Sequence, residues 1–164
     1  KATDLFGTIS SASRQAMDLM SDIVWSINPK NDKMEMIITR MRQYASETLE
    51  AAQISFSLEV DEDSYALSLP IEQRKEFYLI FKEAVNNLAK YSKATRAQIQ
   101  IETRKPELIL KIIDNGIGFD PHIPYSGNGL KNMRTRASQI KGILHIQATP
   151  GNGTTVQLIL PLTP

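Results

Sequence analysis

Three short blocks of this chain carry residue types suited to chemistry on a charged, planar ligand. In residues 83–90, EAVNNLAK, a carboxylate, an amide and an ammonium recur at helical spacing. At 3.6 residues per turn Glu83, Asn87 and Lys90 fall on one narrow face, which Glu76 extends toward the helix start. Magnesium takes oxygen ligands and keeps several waters, so the Asn87 amide oxygen suits it, with phosphates supplying the rest. Glu83 is placed to orient or deprotonate a nucleophile, and Lys90 to meet phosphate charge. Taken alone, the pattern more commonly means a solvated Glu–Lys face.

The second block, DNGIGFD at 114–120, follows an apolar run. A carboxylate followed by Asn-Gly often marks only a turn. Gly116 and Gly118 add unusual backbone freedom and let a flat base lie against the chain, and Asp114 can accept a hydrogen bond from an exocyclic amine. Turn and site are equally good readings of this block. The third, GNGLKNM at 127–133, puts Gly127 and Gly129 just before a helix, whose N-terminal N–H groups form an anion site. It is neither a P-loop nor a dinucleotide fingerprint. Lys131, Arg134 and Arg136 add positive charge nearby. A fourth block, PGNGTT at 150–155, is most simply a hairpin turn, with Thr154 or Thr155 able to reach a base.

The elements that must position these residues are legible from periodicity. Leu5, Ile9, Ala12, Ala16, Leu19 and Ile23 form a heptad seam that stops at Asn28-Pro29, where the proline forbids helix. A second helix is predicted over 34–52, with Met34, Ile37, Ile38, Met41, Ala45, Thr48, Leu49 and Ala52 toward a sheet. Ile54, Phe56, Leu58 and Val60 alternate as a half-buried strand, and a short strand is expected at 65–69. A long helix follows over 71–91, with Phe77, Ile80, Phe81, Ala84 and Leu88 as its apolar face. Strands are expected at 97–103 and 108–113, joined at Lys105-Pro106. Next come a loop at 119–126, a helix over 130–141 stopped by Gly142, and strands at 143–148 and 155–160. Hairpins dominate over βαβ alternation. The expected fold is therefore an α/β two-layer sandwich, with helices on one face of a mixed sheet.

Composition excludes other classes. The 164 residues suffice for a sizeable core, and the net charge of +1 points to neither nucleic acid nor an anionic membrane. Without cysteine there are no disulfides, thiolate metal sites or thiol nucleophiles. No apolar run is long enough to span a bilayer. The chain opens directly into helical pattern and reads as a fragment of something longer.

In this order and spacing, the four blocks resemble the ATP-binding domain of sensor histidine kinases, of the Bergerat fold shared with gyrase-type and heat-shock chaperone ATPases. The likeness covers about residues 34–162. The stretch SDIVWSINPKNDKMEMIITRMRQYA and the short segment between the glycine blocks resemble the subgroup in which dimerisation helices precede a short-lidded kinase domain. The resemblance implies two units. Residues 1–28 would be the second helix of a dimerisation and phosphotransfer bundle, and 29–164 the ATP-binding catalytic domain.

It also implies roles. Glu83 is the catalytic acid residue, Asn87 the magnesium ligand and Lys90 a phosphate contact. Asp114 holds the adenine amine, Gly116 and Gly118 line the pocket, Gly127, Gly129 and Leu130 flank the lid over the triphosphate, and Thr154 assists at the base. Tyr91 departs from the histidine that many relatives carry there. ATP and Mg2+ are the implied cofactors. A homodimer through the bundle and a response-regulator receiver domain are the implied partners, in the cytoplasmic portion of a membrane-bound sensor. The family's acceptor histidine lies on an earlier bundle helix. His122, in the lid loop, and His145, on a strand, do not match it. An anti-sigma-type serine kinase, or a nucleotide-binding scaffold without turnover, are the rival readings.

Overall fold

Proline 29 sets the first boundary. Helix α1 spans Ala2–Ile27, and the chain then turns through a 3-10 helix, Pro29–Asn31, capped by the Asn28 side chain, which accepts from Lys30 N at 3.0 Å. The computed structural model describes residues 2–120 and 127–162, with side chains in α1 from residue 7 onward. Leu5 of the heptad seam and His122 of the lid loop therefore lie outside the described side chains. Ile9 and Leu19 of the seam are exposed and Ile23 is half-buried. No helix among the described residues is long and apolar enough to cross a membrane.

Helix α2, Met34–Ala51, buries Met34, Ile37, Ile38, Met41, Ala45 and Leu49, the expected stripe, with Thr48 at its margin and Ala52 exposed just beyond its end. Strand β1, Ser55–Val60, follows, with Phe56, Leu58 and Val60 turned inward. The strand expected at 65–69 does not form. Helix α3, Glu62–Tyr65, occupies its start, and only a single bridge joins Lys33 to Ser68. Asp61 is the physical reason. Its Oδ1 caps α3 by accepting from Ser64 N at 2.9 Å, and its Oδ2 accepts from Thr103 N at 2.7 Å. A capped turn thus outcompetes extension of a Tyr-Ala-Leu run.

Helix α4, Ile71–Tyr91, crosses the centre of the domain. Strands β2, Arg96–Arg104, and β3, Glu107–Asp114, form a hairpin through a cis Lys105-Pro106 bond. Helix α5, Gly129–Gln139, and strands β4, Ile143–Ala148, and β5, Thr154–Pro161, complete the fold. The expected glycine stop after α5 shifts by one residue. Lys141 takes the left-handed conformation, at φ 57°, and Gly142 N returns to Ala137 O at 2.8 Å.

The five strands run in the order β1-β2-β3-β5-β4, with β1 parallel to β2 and every other pair antiparallel. One face of this mixed sheet carries Ile99, Ile101, Leu108, Leu110, Ile112, Leu158 and Leu160 into a single core with α2, α4 and α5. The opposite face is largely polar, with Gln100, Lys111, Gln157 and His145 in one cross-strand row. The two-layer sandwich is thus as the hairpin pattern implied.

Asn115, just past β3, clasps the entry to β2. Its Oδ1 accepts from Thr95 N at 3.0 Å and Arg96 N at 2.9 Å, while its Nδ2 donates to Thr95 Oγ1 at 3.0 Å. This holds the end of β3, where Asp114 sits, against its neighbour. Asn115→Ala should therefore lower stability by about 2 kcal/mol, at roughly 1 kcal/mol per lost hydrogen bond less partial rehydration. Thermal denaturation should show a midpoint several degrees lower.

Candidate functional site

Two helices packed antiparallel create an opening at one end. Glu76 and Glu83 lie seven residues apart on α4, and Gly129 and Arg136 seven apart on α5, each interval about 10 Å at 1.5 Å per residue. Arg136 Nη1 donates to Glu76 Oε2 at 2.6 Å, and Lys75 Nζ meets Glu76 Oε1 at 3.0 Å. At the other end Gly129 abuts Glu83. The polar face of α4 is therefore continuous, as its spacing predicts, but α5 covers it at Glu76 and leaves it open at Glu83 and Asn87. Glu76 is a buried structural carboxylate, not part of the opening.

The opening is a cavity of about 760 Å³, within the range of small-ligand sites. Glu83, Asn86 and Asn87 line it from α4, Asp114 from the end of β3, and Gly127, Asn128, Gly129 and Leu130 from the start of α5. Lys131 and Arg134 supply positive charge to its wall. Ile112, Ile117, Met133, Ile146 and Val156 supply an apolar floor, and Tyr91 stands at its margin. Thr154 lines it as well, while Thr155 does not, because alternate residues of β5 face opposite sides of the sheet. Of the residues expected to converge, Glu83, Asn87, Asp114, Gly118, Gly127, Gly129, Leu130 and Thr154 do so. Lys90 is exposed outside the lining, and Gly116 lies beneath it, against the Ser92 carbonyl. His145 points out from the opposite face of the sheet.

Periodicity passed over Asn86 and Arg134 as site residues. Asn86 sits beside the predicted face, yet the wide cavity mouth reaches it. The charge of Arg134 was visible in sequence, but only the position of α5 brings it, still exposed, to the cavity wall.

Two close approaches shape the walls. A Cβ on Gly129 would overlap the Glu83 carboxylate and displace it, so glycine here lets the first turn of α5 lie against α4 with Glu83 in place. Asn128 gives that turn no side-chain cap, and the residues that carry its leading N–H groups line the opening. Gly153, at φ 72°, presses on the Asp114 carbonyl, where a Cβ would also overlap. The glycines of the 150–155 block are thus both a turn and a backing for Asp114.

Asp114 is the one buried carboxylate at the cavity. Burial pushes its carboxyl above the ordinary value, opposed in part by the backbone N–H groups of Gly116, at 2.8 Å from Oδ1, and of Thr154. An acceptor held this way, at the end of an apolar pocket, is suited to a planar ligand carrying an N–H donor.

The model of the histidine kinase-, DNA gyrase B- and HSP90-like ATPases matches residues 72–164, more than half of the chain. Among curated proteins, the sensor histidine kinase LiaS of Bacillus subtilis is 32% identical over 108 residues, covering 65% of this chain and 29% of LiaS. The sensor protein VraS of Staphylococcus saprophyticus is 36% identical over 107 residues, covering 64% of this chain and 30% of VraS. The chain thus spans about 30% of the length of these relatives. Among solved structures, the Acinetobacter baumannii histidine kinase AdeS superposes at a TM-score of 0.71 with 16% identity, covering 99% of this chain and 84% of that one. The catalytic domain of the histidine kinase ThkA does so at 0.65 with 15% identity, covering 80% and 95%. At such identities the likeness is one of fold.

Asp114 yields a signed prediction. A carboxyl raised in the folded state favours folding below its unfolded value, and that contribution is lost as pH rises through the folded value. As pH rises above the unfolded value, the buried charge therefore costs stability. Asp114→Asn should raise the melting temperature at pH 7, with the gain shrinking toward pH 4. Adenine-nucleotide affinity should fall about 10- to 100-fold, as for a charge-assisted hydrogen bond of ~1.5–3 kcal/mol. Calorimetry and thermal scans at both pH values check it.

Proposed function

This chain belongs to the histidine kinase-, DNA gyrase B- and HSP90-like ATPases, and from that membership we propose that it is the ATP-binding catalytic domain of a two-component sensor histidine kinase. In this reading it transfers the γ-phosphoryl group of ATP to a histidine imidazole on a dimerisation helix that packs beside α1. The observation that carries the reading is the convergence of Glu83, Asn87, Asp114 and the uncapped start of α5 on one cavity.

Each residue's part follows from its chemistry. Asp114 accepts a hydrogen bond from the adenine amine, with Thr154 beside it, and the apolar floor holds the base. The N–H groups at the start of α5 and the positive charges of Lys131 and Arg134 face the phosphates. Lys90, exposed beyond the lining, adds positive charge at longer range. Glu83 accepts a hydrogen bond from one N–H of the incoming imidazole. This turns the lone pair of the other ring nitrogen toward the γ-phosphorus and stabilises the positive charge that develops on the ring. The N–P bond forms as the bond from the γ-phosphorus to the bridging oxygen breaks, and ADP leaves with that oxygen. Phosphoryl transfer needs little covalent help from protein, so positioning and charge carry it.

Magnesium fits this donor set. Among the described residues no cluster of three or more His, Cys, Asp or Glu could hold a metal by itself. The Asn87 oxygen in the cavity would supply one ligand and the nucleotide's phosphates others, as magnesium prefers. The ion would neutralise phosphate charge.

The domain assignment and partners belong to the same proposal. Residues 1–28 are the second helix of a bundle and 29–164 the catalytic unit. Met17, Met20, Val24 and Ile27 are exposed beside the Ile9–Leu19 seam, giving α1 a broad apolar arc that suits two neighbouring helices. A homodimer forms through that arc, a response-regulator receiver domain takes the phosphoryl group, and the domain works in the cytoplasm.

The protein incubated with γ-labelled ATP and a helix-hairpin acceptor bearing histidine should acquire acid-labile, base-stable label on the acceptor. Alkali-labile label on serine would instead mark a serine kinase, and nucleotide binding without transfer a scaffold. Glu83→Gln should slow transfer about 100-fold or more with ATP affinity within about threefold. Label on His145, which faces away from the cavity, would overturn the assignment of the acceptor. For the dimer, Ile9→Glu with Met20→Glu should shift sedimentation from dimer to monomer, while nucleotide binding stays unchanged.

A further inference from the structure

Among the described residues, the buried side chains of helix α1 fall in its last two turns. From Gly7 to Ser21 every residue is exposed, yet Asp22 and Ser26 are buried. Asp22 reaches two cations on two other helices: Arg40 of α2, with Nη2 at 2.8 Å from Oδ1, and Lys82 of α4, whose Nζ meets Oδ2. Both cations also lie over rings. The Arg40 guanidinium is 4.6 Å from the Trp25 ring centre and 5.4 Å from that of Tyr78, and Lys82 Nζ is 5.1 Å from that of Tyr44. The last carbonyls of α1 are gripped in turn. Arg74 Nε donates to Ser26 O at 2.6 Å, and Asn31 Nδ2 to Trp25 O at 2.9 Å. These are donors placed at the negative end of the helix dipole.

A cluster whose carboxylate is buried and whose two cations are about three-quarters covered is a weak source of stability. Desolvating an ion pair costs about as much as its attraction returns, and apolar residues of similar size often serve folding as well or better. Arg40 Nε and Arg74 Nη2 find no hydrogen-bond partner among the described residues, which lowers the return further. Direction is what such a cluster does supply. An apolar contact allows a helix to roll or slide, whereas a carboxylate shared between cations on α2 and α4 admits one orientation. Lys82 also precedes Glu83, so the grip on α1 and the cavity lie on adjoining faces of the same helical turn.

We propose that Asp22, with Arg40 and Lys82, is a positioning cluster that fixes the angle at which α1 leaves the catalytic domain, and so the reach between the γ-phosphate and the acceptor. The last clause rests on the kinase reading; the first does not. Nothing in this cluster lines the nucleotide cavity.

The test separates orientation from stability and from nucleotide binding. The chain has no cysteine, so spin labels on Ser11→Cys, opposite the apolar arc, and Gln147→Cys, in protein diluted with excess unlabelled chain so that pairs between protomers do not contribute, report the α1-to-domain distance. Dipolar spectroscopy should give a narrow distribution for the parent cluster. In the triple replacement Asp22→Leu, Arg40→Met, Lys82→Met the distribution should be at least twofold wider, with the melting temperature equal or higher and ATP affinity within about twofold. In the full-length protein the same triple should lower the phosphotransfer rate about tenfold at saturating ATP. An unchanged distribution overturns the proposal, as does a melting temperature that falls with the widening, since the cluster would then be ordinary stabilisation. An unchanged transfer rate despite a widened distribution overturns the link to catalysis. If the parent full-length protein transfers no phosphate, the kinase reading fails, and the distance measurement alone still decides whether the cluster sets the helix angle.

Discussion

The antiparallel packing of α4 against α5 is the constraint from which the site follows. A helix at the centre of a two-layer domain must bury one face on the sheet, and α4 does so with Phe77, Ile80, Phe81, Ala84 and Leu88. Its adjoining face is polar, and polar groups in a core need partners. At Glu76 the partners are Arg136 and Lys75. Seven residues on, α5 has reached its first turn, and Glu83 and Asn87 face a cavity. A longer α5 would close that end, and a side chain at position 129 would displace the Glu83 carboxylate.

The sheet supplies the second half of the site by register. Asp114 is the last residue of β3, paired with Ala97 on one side and Thr154 on the other. Asn115 ties that end to β2 and Gly153 backs the Asp114 carbonyl from the β4–β5 turn, while the N–H of Gly116 holds the carboxylate itself. A carboxyl whose charge is disfavoured by burial, yet held by backbone N–H groups, is an acceptor at little cost in reorganisation when a ligand arrives. The structure thus accepts a local loss of stability where a ligand would contact it, a common arrangement at binding sites.

The attachment of α1 shows the same economy. A buried carboxylate between two cations, and an arginine and an asparagine on the last carbonyls, hold a helix that is exposed from Gly7 to Ser21. The interactions are polar and directional, where the core interactions beneath them are apolar and permissive. A unit that must be both joined and aimed uses both kinds.

Most of the element order was legible in sequence, since each long element has one buried face and so a clear period. The stripe on α2, the alternation in β1 and β2, the helix 71–91 and the stop at Pro29 all follow from side-chain spacing and backbone sterics. Elements of fewer than six residues were not legible. The Asp61–Ser64 cap of α3 is local, but the second bond that fixes the Asp61 carboxylate comes from Thr103, 42 residues away, and no local window contains that one. The site residues could be nominated from type and spacing, but not sorted. Glu76 and Glu83 share a helix face, and Lys90 and Lys131 share a charge. Only the placement of α5 buries Glu76, exposes Glu83, leaves Lys90 outside and brings Lys131 and Arg134 to the wall. Periodicity states which face a residue is on. What lies across from that face is a fact about another element, and only the tertiary structure decides it.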